Sequence, residues 1–109
     1  MTAEPQIVLC TVPDREVAER IATDLVGEGL AACVNIVPGI TSVYRWQDAI
    51  EKDTELMLII KTASTVFATL TERIKSMHPY ELPEIVTVAI GDGLPGYLDW
   101  ITDSIVDAR

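Results

Sequence analysis

Histidine and cysteine are scarce in this 109-residue chain: His78 stands alone, and Cys10 and Cys33 are the only thiols. With no C-x-x-C pair there is no zinc finger or ribbon of the usual spacing. Basic residues are few as well, eight Lys+Arg against 17 Asp+Glu, for a formal charge of −9. Such a field repels phosphate backbones and anionic lipid at long range, so neither nucleic acid nor membrane is expected as a partner, while cations are attracted. Long apolar runs are missing too. Ile7-Val8-Leu9-Cys10 is far short of the roughly 20 residues of a membrane span, and Met1 to Gln6 carries no positive export segment. The expectation is a cytoplasmic protein whose two cysteines are reduced rather than bridged.

The familiar catalytic signatures are also absent: there is no Walker lysine and no Ser-His-Asp signature. Gly91-Asp92-Gly93-Leu94-Pro95-Gly96 matches G-x-G-x-x-G, yet only 13 residues follow it. A dinucleotide fold needs another parallel strand and an acidic residue about 20 positions further on, so the segment reads as a tight turn.

What is present points to one well-filled domain over residues 1–109, at 49% hydrophobic and 23% charged. Gln6 to Val12 is strand-like, and Val17, Ala18, Ile21, Ala22 and Leu25 then form a helical stripe. Thr11 and Asp14 resemble a capping box ahead of it, with Gly27 and Gly29 as its stop. Leu30 to Trp46 reads as one long strand bent at Pro38-Gly39, followed by a polar connection from Gln47 to Asp53 and a strand from Thr54 to Thr62. Phe67, Leu70, Ile74 and Met77 mark a second helix, which ends near His78 because Pro79 disfavours helical geometry before it. A strand from Glu84 to Ile90 and a terminal helix stripe of Tyr97, Leu98, Ile101 and Ile105 complete the chain. The order β-α-β-β-α-β plus α is the α+β, ferredoxin-like split β-α-β sandwich.

Ile7 to Cys10, Leu56 to Ile60 and Ile85 to Ile90 are apolar at nearly every position, the pattern of strands covered on both faces. Two helices cover one face only. A homo-oligomer packed through its sheets would cover the other; the alternative is a monomer whose terminal helix folds across it.

Four groups have chemical potential. His78, in Met77-His78-Pro79-Tyr80-Glu81-Leu82-Pro83-Glu84, is either a metal ligand or proton carrier, or a residue stabilised by a helix C-terminus. Two prolines should hold His78, Glu81 and Glu84 in a defined loop. Cys10, at the C-terminal end of the first strand, is either a cleft thiol for a soft metal or nucleophilic attack, or an inert core residue. Cys33 reads even more like core. Lys61 with Tyr44, Trp46, Tyr97 and Trp100 would line a polar-mouthed pocket, or else be surface and interface groups.

Gly29-Leu30-Ala31-Ala32-Cys33-Val34-Asn35, Pro38-Gly39-Ile40-Thr41-Ser42-Val43-Tyr44-Arg45-Trp46, Lys61-Thr62, His78-Pro79-Tyr80-Glu81-Leu82-Pro83-Glu84 and Tyr97-Leu98-Asp99-Trp100-Ile101 together resemble the CutA divalent-cation-tolerance family, from about Val8 to Ile105. The resemblance implies a tight homotrimer of ferredoxin-like subunits, similar in assembly to the PII signalling proteins, with the long hairpin reaching onto a neighbour. It further implies a role in tolerance of copper and other divalent cations, with copper held by residues that correspond to Cys10 and His78. It implies no catalytic activity. Where some members carry two adjacent histidines, this chain has Met77 before His78, which favours Cu(I) over zinc; Glu84, Met77, water or a neighbour's residue would complete the shell. Two other readings stand beside it: an enzyme with a Cys10 nucleophile and His78 or Lys61 as base in an intersubunit cleft, and a trimeric scaffold or signalling module without metal.

Overall fold

Alternation of side chains along an apolar strand sets the register of the whole sheet. In the computed structural model, which describes residues 2–106, β1 (Pro5–Val12) buries Val8, Cys10 and Val12 on one face and leaves Ile7 and Leu9 half-buried on the other. It is followed by α1 (Arg15–Gly27), β2 (Cys33–Trp46), β3 (Ala49–Ala63), a 3₁₀ turn at Ser64–Val66, α2 (Phe67–Met77), β4 (Val86–Ala89) and α3 (Pro95–Asp103). The strands lie in the order β2-β3-β1-β4, and every neighbouring pair is antiparallel. This is the expected α+β, ferredoxin-like arrangement.

The main core lies between one sheet face and the first two helices: Val8, Cys10, Leu58 and Ile60 meet Ile21, Leu25, Leu70 and Ile74, all fully buried. Each such aliphatic side chain contributes roughly 1.5–3 kcal/mol by leaving water. Arg73 ties the two helices together on their outer side, its guanidinium donating to both Asp24 and Glu28.

Several local readings are corrected. The α1 cap is Asp14 alone, whose carboxylate accepts the Val17 N–H at 2.9 Å; Thr11 belongs to β1 and caps nothing. The polar stretch after Trp46 is not a long connection. Pairing continues to Trp46–Ala49, and the turn is only Gln47-Asp48, with φ of 50° and 66°. A two-residue turn with both φ positive follows the twist of the strands, and residues 51–54 are polar because that part of the arm is exposed and has no core to impose alternation. The bend at Pro38-Gly39 does form, as a register shift between Val37 and Ile40 with Gly39 at φ 77°.

The last strand is shorter than expected. Pairing begins at Val86, opposite Leu9, and Glu84 and Ile85 lie in the preceding loop. All four β4 residues are exposed in the single chain, Val86 at 47% and Val88 at 44%, so within one subunit this strand is not covered on both faces. α3 packs against β3 and β1 and buries Ile101, but it leaves β4 open.

Candidate functional site

The site begins where α2 stops. Ahead of Pro79, His78 takes an extended conformation (φ −82°, ψ 133°), while its N–H still donates to the Ile74 carbonyl at 2.9 Å. Arg20 reaches across from α1 and donates to the Met77 carbonyl at 3.0 Å, which anchors this helix end. The His78 ring is thereby turned inward and buried. Its Nδ1 accepts the Tyr80 N–H at 3.1 Å, so the ring proton sits on Nε2 and is donated to the Thr11 carbonyl at 2.8 Å. Both ring nitrogens are used by the backbone.

Tyr80 carries the network onward. Its ring leans on His78 with centroids 4.6 Å apart, and its hydroxyl donates to Glu55 Oε2 at 2.6 Å. Burial, followed by that hydrogen bond, raises the Tyr80 pKa, so the hydroxyl remains a donor. Glu55 is 5% exposed. On the arm, the Tyr44 hydroxyl donates to Asp53, which raises its pKa to about 12.

Between the arm and the 78–84 loop lies a cleft of about 730 Å³, whose walls include Tyr44, Trp46, Glu55, Tyr80, Glu81 and Glu84. Among the described residues, no Lys or Arg lines it. Of the four aromatics expected to share a pocket, Tyr44 and Trp46 are here, whereas Tyr97 and Trp100 pair on α3 with centroids 5.4 Å apart. Lys61 is not here either. It lies opposite Ile7, near the start of β1, with its ammonium on Asn35.

Cys10 sits at the expected end of β1 but does not open into the cleft. It shares the helix-covered face with Val8 and Val12, is fully buried, and points its thiol toward the Thr11 carbonyl at 3.8 Å. Burial, then the charges of Glu84 and Glu55, push its pKa up to about 12. The folded chain therefore holds the thiol proton more tightly than a free cysteine would. Cys33, expected to be the more core-like of the two, is only half-buried at the start of β2.

Cys10 and His78 thus meet at one carbonyl, that of Thr11, and Glu84 stands on the cleft wall nearby. Neither of the first two offers a free donor in this conformation, and among the described residues no three His, Cys, Asp or Glu side chains form a ready cation cage. Glu55 was missed by sequence reasoning, since one carboxylate ahead of the run Leu56 to Ile60 looks like an ordinary strand border. Tyr80 stood in the recognised loop without an assigned role. The Gly91–Gly96 segment is a turn in which Asp92 accepts the Gly93 N–H at 2.8 Å.

A prediction follows from the buried thiol. Its pKa is higher folded, at about 12, than the 9.0 of a free thiol, so the folded state holds the proton more tightly. The stabilisation is complete below about pH 9 and is lost as pH rises toward 12. Cys10→Val removes that group, and urea midpoints of the variant should fall less than wild-type midpoints between pH 9 and 11. Parallel decline of the two proteins would refute the assignment.

An antiparallel sheet in the order β2-β3-β1-β4, two crossover helices on one face and a long β2–β3 arm over a carboxylate-lined cleft define a ferredoxin-like α+β protein with an extended hairpin. The family model for the CutA1 divalent ion tolerance protein matches residues 6–104, and the chain belongs to that family. A divalent-cation tolerance protein CutA of Thermus thermophilus is 54% identical over 99 residues, spanning 91% of this chain and 96% of the relative. The solved structure of a Thermus thermophilus divalent cation tolerance protein superimposes with a TM-score of 0.92 at 52% identity, covering 94% of this chain and 99% of the other. A structure described as a PII-like protein CutA in apo form, from a Nostoc species, matches with a TM-score of 0.85 at 35% identity, over 93% and 97% of the two chains. The chain spans between about half and two thirds of the length of the plant and vertebrate relatives it matches. No described helix is long and apolar enough to cross a membrane.

Proposed function

We propose that this protein acts as a homotrimer in divalent-cation tolerance and takes up a soft transition-metal ion, Cu(I) ahead of zinc, through Cys10 and His78, with Glu84 as a third donor. The observation that carries the metal reading is the convergence of the Cys10 thiol and His78 Nε2 on the Thr11 carbonyl. The ion is a ligand rather than a resident cofactor, since uptake must free the imidazole from its backbone partner and remove the thiol proton. Binding therefore releases protons and weakens as pH falls. Thiolate and imidazole suit Cu(I), which accepts few ligands, whereas zinc wants a fuller tetrahedral shell. The acidic surface raises the local cation concentration without choosing among ions of equal charge.

Anaerobic titration of the reduced protein with Cu(I) tests this. Cys10→Ser and His78→Ala should each weaken binding at least tenfold, and equal affinity in all three proteins would eliminate the site.

The assembly reading is supported by unpartnered apolar surface: Val86 and Val88 on β4, Tyr44 and Trp46 on the arm. Aromatic residues are enriched where subunits meet. Trp46, 39% exposed in the single chain, should contact a neighbour through the arm. Trp46→Ala is expected to raise the trimer dissociation constant at least tenfold while the far-ultraviolet circular dichroism stays unchanged. Unaltered assembly would remove Trp46 from the interface.

A further inference from the structure

One row of the open sheet face is charged at both ends and apolar between. Along β3, the alternation that buries Leu56, Leu58 and Ile60 under the helices sets Glu55, Met57, Ile59 and Lys61 on the other face. Glu55 is 5% exposed and its Oε2 accepts the Tyr80 hydroxyl, while Lys61 is half-buried with its ammonium on the neutral Asn35 side chain. Among the described residues, neither forms an ion pair. They cannot reach one another inside a subunit, since six residues of strand hold them roughly 20 Å apart. Withdrawing opposite charges from water without partners is costly, so each is incomplete within one chain.

From this arrangement we infer that a neighbouring subunit supplies the missing charge: its Lys61 enters the cleft between the arm and the 78–84 loop and places its ammonium on Glu55. The other described basic side chains are excluded by where they stand. Arg15, Arg73 and Lys75 already hold carboxylates on the helices, and Arg20 holds the Met77 carbonyl. Arg45 and Lys52 stand level with Ile50 and Val43, on the arm face opposite to that of Tyr44, Glu51 and Asp53. Lys61 shares the sheet face that carries Val88, because Ile7 stands opposite both, so the apolar surface open to a neighbour carries this ammonium as well. Opposite charges at opposite ends of one row suit a head-to-tail contact, and in a closed ring of three each subunit gives one lysine and receives one. Glu81 and Glu84 at the cleft wall draw the ammonium in. This pairing rests on the trimer reading, deepens it by naming the contact, and uses neither Cys10, His78 nor a metal.

A double-mutant cycle on the trimer dissociation constant, read by sedimentation at fixed ionic strength, tests it. Glu55→Gln, which still accepts the Tyr80 hydroxyl, and Lys61→Met, which keeps the length of the side chain, should each raise that constant at least tenfold. The two together should cost no more than the worse of them. Glu55→Lys and Lys61→Glu should each assemble less well than their combination, in which the charges are exchanged. Wild-type trimers co-refolded from isotope-labelled and unlabelled chains serve if the variants do not fold: filtered NOEs should join Lys61 of one chain to the Tyr80 ring of another. Additive effects of the two substitutions, a charge exchange no better than either half, or no such contact between chains would overturn the pairing while the trimer stands. A wild type that sediments as single chains would overturn the trimer reading and the pairing together.

Discussion

A Val86→Glu, Val88→Glu double variant is expected to sediment as single chains and to lose folded structure at micromolar concentration. β4 is an edge strand of four residues, held on one side only by β1, opposite Leu9 and Ile7. Val86 and Val88 stand level with those residues on the face away from α1 and α2, and both are largely exposed in the single chain. Covering such a face in a trimer would bury on the order of 1,000 Å² per subunit, or roughly 25 kcal/mol before association and ordering costs are subtracted. Two carboxylates placed there without partners would each oppose that burial by several kcal/mol. In the open single chain the same substitutions would lie in water and cost little. The variant therefore separates an interface from a mere surface: an intact, fully assembled double variant would show that β4 lies outside the contact.

His78→Ala is expected to destabilise the protein by about 3 kcal/mol, because it strands two backbone groups at once. The Thr11 carbonyl loses its donor and the Tyr80 N–H loses its acceptor, in a place where water does not readily replace them. His78→Phe keeps a ring of comparable bulk against Tyr80 and still loses both hydrogen bonds. Urea denaturation at one protein concentration should show both variants with lowered midpoints, and a Phe variant as stable as wild type would mean that the ring nitrogens contribute nothing. The effect reaches the cleft, since Tyr80 positions its hydroxyl on Glu55 from the same loop.

The fold was legible because its elements are separated by strong local signals. Pro13-Asp14 opens α1, His78-Pro79 closes α2, and Pro38-Gly39 bends β2, each through backbone chemistry that no distant contact overrides. The arm was misread where local signals fail. Residues 51–54 are polar on both faces because the hairpin projects away from its own core, and a strand without a buried face carries no alternation to detect. β4 was over-extended for the opposite reason: the apolar residues Ile85 and Ile90 continue past both ends of the pairing with β1.

At the site, the Cys10–His78 neighbourhood was legible from the ends of two elements that the topology brings together, but its polarity was not. Period-two alternation assigns Cys10 the same face as Val8 and Val12, and only the placement of α1 and α2 shows that this face is the closed one. Lys61 was grouped with the site by its position at the end of an apolar run, yet antiparallel pairing sets it at the opposite end of β1. Glu55 carried no local signature, because the Tyr80 hydroxyl that bonds its carboxylate lies 25 residues away in sequence.

The proposed cover for the open sheet face and the proposed reach of the arm onto a neighbour both depend on assembly, and sedimentation equilibrium of the wild-type protein at micromolar concentration tests it most directly. The account predicts a single species of three chain masses with no detectable dissociation, and a folded species near 11.9 kDa would contradict it.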